Sequence, residues 1–153
     1  TIMPEKYMFL DLDDTIYDYK SAHKPAQTEL VAYLSRQLKL DTRAVSAGLL
    51  SSRLRVKKRL GASASSHSRL IYISEYLREV DCQTHVELTL SAESLYWNTF
   101  LKNMKIFEGV HDFLLSSRQV GFTNVLVTDL CIDPTKKVET VGNRYYVRDC
   151  FNF

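Results

Sequence analysis

Apolar residues follow two different rhythms along this chain. Tyr7 to Leu12, YMFLDL, is a short and nearly unbroken apolar run that ends in acids, DLDDT. A run of that length predicts a strand buried in a parallel sheet, with polar groups at its C-terminal end. Asn124 to Val127 is a second, β-branched run, and it ends in Thr128 and Asp129. Between the two runs the rhythm becomes helical. Ala26, Leu30, Val31, Leu34 and Leu38 fit one helix, with Ser21 as its cap and Pro25 in its first turn. Asp41 and Thr42 offer a cap for a second, holding Val45, Leu49 and Leu50. The small polar stretch GASASSHS, Gly61 to Ser68, reads as a loop. Further helices are expected at Leu70 to Val80, Ser91 to Met104 and Glu108 to Val120, the last stopped by Gly121. Ile132 to Val141 fits a short helix, and Tyr145 to Val147 the start of a third strand.

Strand and helix alternate around the second run, which implies a parallel sheet. The stretch from about Tyr19 to Lys105 is too long for one crossover. The expected architecture is therefore α/β: an incomplete Rossmann-like parallel core at 1–18 and 106–153, interrupted by an all-helical insert at 19–105.

Composition narrows the functional classes. Of 153 residues, 45% are hydrophobic and 25% charged, ordinary values for a globular chain and wrong for a disordered one. The net charge of +2 is too balanced to argue for nucleic acid or a membrane surface. No apolar run is long enough to span a bilayer, and the N-terminus lacks the zones of a signal peptide. Cys82, Cys131 and Cys150 are scattered and form no CxxC pair, which fits a reducing cytoplasm better than a disulfide framework or zinc site. Five basic residues lie between Arg53 and Arg59, and they read as a solvated helix face. The four histidines share no ligand spacing, and Tyr96, Trp97 and Phe100 read as helical core.

The chemistry concentrates in DLDDT. Asp11 and Asp13 stand two apart, just past a strand, where open α/β sheets bind their ligands. Paired carboxylates repel, so a cation is their natural neutraliser, and hard oxygen donors select Mg²⁺. One carboxylate can serve as nucleophile and the other as acid and base, if their surroundings separate them. The run VLVTD supplies a second strand with a hydroxyl at its end.

DLDDT with IYD, a helical insert, FEGV and then VLVTD resembles the haloacid dehalogenase-like hydrolase superfamily, in the subgroup with a helical cap after the first motif. The resemblance implies that Asp11 attacks phosphorus and becomes an aspartyl phosphate. It implies that Asp13 protonates the leaving oxygen and then activates water. It places Mg²⁺ on Asp11 and on the main chain of Asp13, the phosphoryl group at Thr128 and Asp129, and a loop-supporting role on Thr15. An acid at position 13 favours phosphate esters over carbon–halogen bonds, because an alkoxide needs a proton and a halide does not. The substrate implied is a small cytoplasmic phosphate ester, such as a sugar phosphate or nucleotide, with no nucleic-acid or membrane partner.

The family's third-motif lysine and fourth-motif acidic pair have no clear match. Lys136 and Lys137 fit the exposed basic face of the helix after VLVTD, and Asp149 stands alone. A truncated, inactive relative acting as a binding or regulatory module is the alternative expectation.

Overall fold

The computed structural model describes residues 6–127 and the backbone of 146–147. Contacts divide the chain into two compact units, Thr1–Ser21 with Met104–Phe153, and Ala22–Asn103.

The first unit is built on a parallel sheet. Strand β1 (Lys6–Asp11) pairs with β2 (Phe122–Val127), and β2 pairs with β3 (Tyr146–Val147). The register runs from Lys6 opposite Phe122 to Asp11 opposite Val127. Helix α5 (Val110–Gln119) precedes β2 and is joined to it through Gly121, whose φ of 88° suits a residue without a side chain. The helix is fastened to the strand by a buried polar cluster. Ser117 Oγ lies 2.9 Å from both the Leu114 carbonyl and Asn124 Oδ1, and Asn124 Nδ2 donates to that carbonyl at 3.2 Å. Burying Asn124 is tolerable because both ends of its amide find partners.

The two faces of β1 differ. Met8 and Leu10 stand in register with Asn124 and Leu126, on the face that α5 covers, and are half-buried. On the opposite face Tyr7 is 50% exposed and Phe9 66%. Burial on both faces was expected for this strand, and the described residues do not provide it. Among them β1 has one neighbour, so it is an edge of the sheet.

The second unit is helical. The first helix of the insert, α1 (Tyr19–Leu38), starts in the first unit and buries Ala22, Ala26, Leu30 and Leu34. Its cap is Asp18, not Ser21: Asp18 Oδ1 accepts the N–H groups of Lys20 at 2.9 Å and Ser21 at 3.3 Å. Pro25 consequently lies inside the helix, and the Ser21 carbonyl loses its helical donor at the residue where the two units divide. Helix α2 (Thr42–Leu60) is capped by Asp41, which accepts the Arg43 N–H at 2.8 Å. Leu49 is buried there, whereas Leu50 faces outward at 55% exposure.

The small polar stretch holds a turn of 3-10 helix, Ala64–His67, before α3 (Arg69–Glu79). Helix α4 (His85–Asn103) begins a turn and a half earlier than the apolar pattern predicts. Burial of Leu88, Thr89 and Ala92 on one face draws in the β-branched start, and Thr89 Oγ1 returns a hydrogen bond to the His85 carbonyl at 2.5 Å. Arg55 and Arg59 of the basic run face carboxylates of α3, with Glu75 at 3.2 and 2.6 Å respectively. Tyr96, Trp97 and Phe100 form a buried ring cluster. The helix expected at 132–141 lies outside the described residues.

Candidate active site

β1 ends at Asp11, and the chain then folds back on itself. Leu12 is fully buried and anchors the loop. Asp14 adopts a φ of 59°, left-handed geometry that aspartate tolerates better than most residues. Its carboxylate accepts the Tyr19 N–H at 2.9 Å, joining the loop to the start of α1. The Ile16 N–H donates to the Leu12 carbonyl at 3.0 Å, and the Ile16 carbonyl accepts from Phe107 N at 3.0 Å. Tyr17 makes a parallel bridge to Asp13 and an antiparallel one to Ile106. Asp11–Ile16 is thus a loop braced by its own backbone and by the returning chain.

Asp11 is exposed, and its Oδ1 accepts the Leu12 N–H at 2.8 Å. That bond fixes one carboxylate oxygen. Asp13 is half-buried, and its Oδ1 accepts a hydrogen bond from the Tyr17 hydroxyl. Thr15 sits exposed in the turn. Val127 is in register with Asp11, so β2 reaches its C-terminal end level with the start of the loop. Thr128 and Asp129 lie outside the described residues, as do Lys136, Lys137 and Asp149.

No group of three His, Cys, Asp or Glu side chains suited to a metal occurs among the described residues. Mg²⁺ rarely needs such a cage. It keeps several waters and is held through one or two carboxylates together with substrate phosphate. Hard-oxygen donors from Asp11 and Asp13, with Asp11 open to solvent, fit a hydrated Mg²⁺ in chemical kind.

His23 belongs to the helical unit and plays another part. Its Nδ1 accepts from the Tyr96 hydroxyl at 2.7 Å, with Arg69 Nη2 3.4 Å away. The Arg69 guanidinium lies over the Tyr96 ring at 4.0 Å. Burial, then the charges of Arg69 and Arg53, push His23 down to about 4, so it is a neutral acceptor inside this cluster.

No family model matches the sequence. No curated protein matches it significantly. Solved structures do match. One is a 2-haloacid dehalogenase from Pseudomonas syringae pv. Tomato DC3000, with a TM-score of 0.68, 19% identity, and cover of 87% of this chain and 59% of that one. A second is a HAD phosphatase from Thermococcus onnurineus, with a TM-score of 0.60, 18% identity, and cover of 90% and 57%. The fold is that of the haloacid dehalogenase-like hydrolases. A third structure with it is the HAD-hydrolase YfnB from Bacillus subtilis bound to magnesium, with a TM-score of 0.56, 18% identity, and cover of 91% and 59%. The chain therefore spans somewhat under two thirds of the length of these dehalogenase-fold proteins. No helix among the described residues is long and apolar enough to cross a membrane.

Proposed function

We propose that this chain carries the nucleophile-bearing part of a Mg²⁺-dependent phosphatase acting on a small cytoplasmic phosphate ester, such as a sugar phosphate or nucleotide. The observation that supports the reading is the parallel register of Asp11 with Val127. It puts the start of the acidic loop level with the end of the strand that leads into Thr128 and Asp129. Open α/β sheets bind their ligands outside the C-terminal ends of their strands, which is where DLDDT follows β1.

In this reading Asp11, with Oδ1 tied to the Leu12 N–H, uses its other oxygen to attack phosphorus. The bond from phosphorus to the ester oxygen breaks as the bond to Asp11 forms. Asp13, entering as a carboxylic acid, gives its proton to the departing alkoxide. As a carboxylate it then takes a proton from water, which attacks phosphorus and releases inorganic phosphate and Asp11. Thr128 and Asp129 are assigned to hold the phosphoryl oxygens, Thr15 to support the loop, and the insert at 19–105 to serve as the cap. Asp11 and Asp13 are assigned to hold Mg²⁺, which when bound offsets the repulsion between carboxylate and phosphoryl oxygens. An acid at position 13 favours this reaction over dehalogenation, which needs no leaving-group proton.

The test combines a substitution with a metal titration. Asp11→Asn is expected to abolish turnover of phosphate esters while leaving the circular dichroism spectrum unchanged. Mg²⁺ at ten times its dissociation constant is expected to stabilise the folded protein by about 1.4 kcal/mol, visible as a raised melting temperature. Full activity in Asp11→Asn, or a melting temperature indifferent to Mg²⁺, would overturn the proposal.

A further inference from the structure

The helical unit carries an open trough of about 330 Å³, lined by residues of α2, α3 and α4. Small-molecule sites begin at about 300 Å³, so the volume is that of a small ligand. None of the lining residues belongs to the acidic loop or to the sheet.

The two walls differ in chemistry. On α3, Leu70, Ile71, Ser74 and Arg78 recur at helical spacing and line the trough together. The first turn of that stripe is apolar, and the later turns carry a hydroxyl and a guanidinium. From α4 come Val86 and Leu90, one turn apart and each 56% exposed. Single exposed aliphatics are ordinary, but an apolar strip in a trough with a polar end has the make-up of a ligand groove.

Charge decides which ligand. Glu75 also lines the trough, but both of its oxygens are engaged: Oε1 accepts from Arg55 Nε at 3.2 Å and Oε2 from Arg59 Nη2 at 2.6 Å. Arg55 also meets Glu79, so two arginines answer two glutamates. The Thr89 hydroxyl is committed to the His85 carbonyl. Arg78 is left over. Among the described residues its guanidinium has no hydrogen-bond or ion-pair partner, and neither has the Ser74 hydroxyl one turn before it. One uncompensated positive charge answers a monoanion, and the guanidinium fork matches the two oxygens of a carboxylate.

We infer that this trough binds a linear alkyl carboxylate, with its head group at Arg78 and Ser74 and its chain against Leu70, Ile71, Val86 and Leu90. From Leu70 to Arg78 the helix rises about 12 Å, a length that a chain of about eight carbons with its head group spans. The inference does not depend on the phosphatase reading.

The test is a titration of the full chain, labelled with nitrogen-15, followed through its backbone amide resonances. Octanoate is expected to move the amides of α3 and the first half of α4, with a dissociation constant below about 1 mM. Butanoate should bind at least about tenfold more weakly, because four methylenes leave the apolar strip. Octylammonium, with the same chain and the opposite charge, should also lose at least about tenfold, and Arg78→Gln should cost octanoate a similar factor. Leu90→Asp should abolish binding. Arg78 and Leu90 are both exposed, so both variants should keep the wild-type circular dichroism spectrum. Equal binding of octanoate and octylammonium, or an affinity unchanged in Arg78→Gln, would reduce the trough to an apolar surface and overturn the inference. So would an absence of shifts at about 10 mM octanoate. If the same amides move on dilution of the protein alone and ignore octanoate, a second copy of the chain occupies the trough, and the inference fails.

Discussion

Gly48 lies inside α2, where alanine is ordinarily the better residue by about 1 kcal/mol. Here the order should reverse. A Cβ at position 48 would lie 2.2 Å from Tyr76 Cε2, 2.8 Å from Cδ2 and 3.1 Å from Cζ, where ordinary van der Waals contact begins at 3.4 Å. The obstacle is the body of a ring that is only 3% exposed, not the loose end of a flexible chain. The ring must shift, or α2 and α3 must part. Overpacking of this kind costs about 1–3 kcal/mol and at times more. An overlap this deep belongs at the upper end, so Gly48→Ala should leave a net loss of about 1–2 kcal/mol after the gain in helix propensity. For a chain of this size that lowers the melting temperature by roughly 2–8 °C. The assay is thermal unfolding followed by the fluorescence of Trp97, the single tryptophan, which is buried in the same unit. Tyr76→Leu removes the obstructing ring atoms, and in that background Gly48→Ala should become neutral or stabilising. A stabilised Gly48→Ala single variant would refute the steric argument.

Other consequences concern pH and association. His23 is held near 4 in the folded state against 6.5 when free, so the unfolded chain binds a proton that the folded one refuses. Stability should fall as pH drops from about 6.5 towards 4 and level off below, and His23→Gln should flatten that decline in urea titrations; an unchanged slope would show that other groups cause it. Among the described residues β1 is the sheet edge, and its exposed Tyr7 and Phe9 invite pairing with another chain. Light scattering should detect self-association that Phe9→Lys suppresses, and a wild type monomeric at high concentration would contradict it.

The acidic loop was legible before any coordinates: DLDDT follows an apolar run, and β1 ends at Asp11, where the chain folds back. The bond between Tyr17 and Asp13 was not legible: three residues lie between them, and the chain turns back through a left-handed Asp14. The same local chemistry misled at α1. Ser21 and Pro25 together look like a helix start, yet Asp18 supplies the cap, because two N–H groups converge on its carboxylate. Leu50 and Phe113 fit the helical period and still face outward, since an apolar stripe wider than its partner leaves residues at its margin.

The sequence by itself determined the elements and their chemical cargo: two apolar runs ending in acids and a hydroxyl, a helical block between them, and helices whose buried faces repeat at the expected spacing. These are local properties, set by side-chain period and by caps within a few residues. Which strand lies beside which, and at what register, was decided only by the tertiary structure. Asp11 and Val127 are paired across more than a hundred residues of intervening chain. No local propensity encodes such a pairing. It is a long-range pairing of β1 with β2, accompanied by the burial of Leu12 and Leu126. The exposure of one face of β1 is settled at the same level, because burial depends on what else is packed there and not on how apolar the strand is.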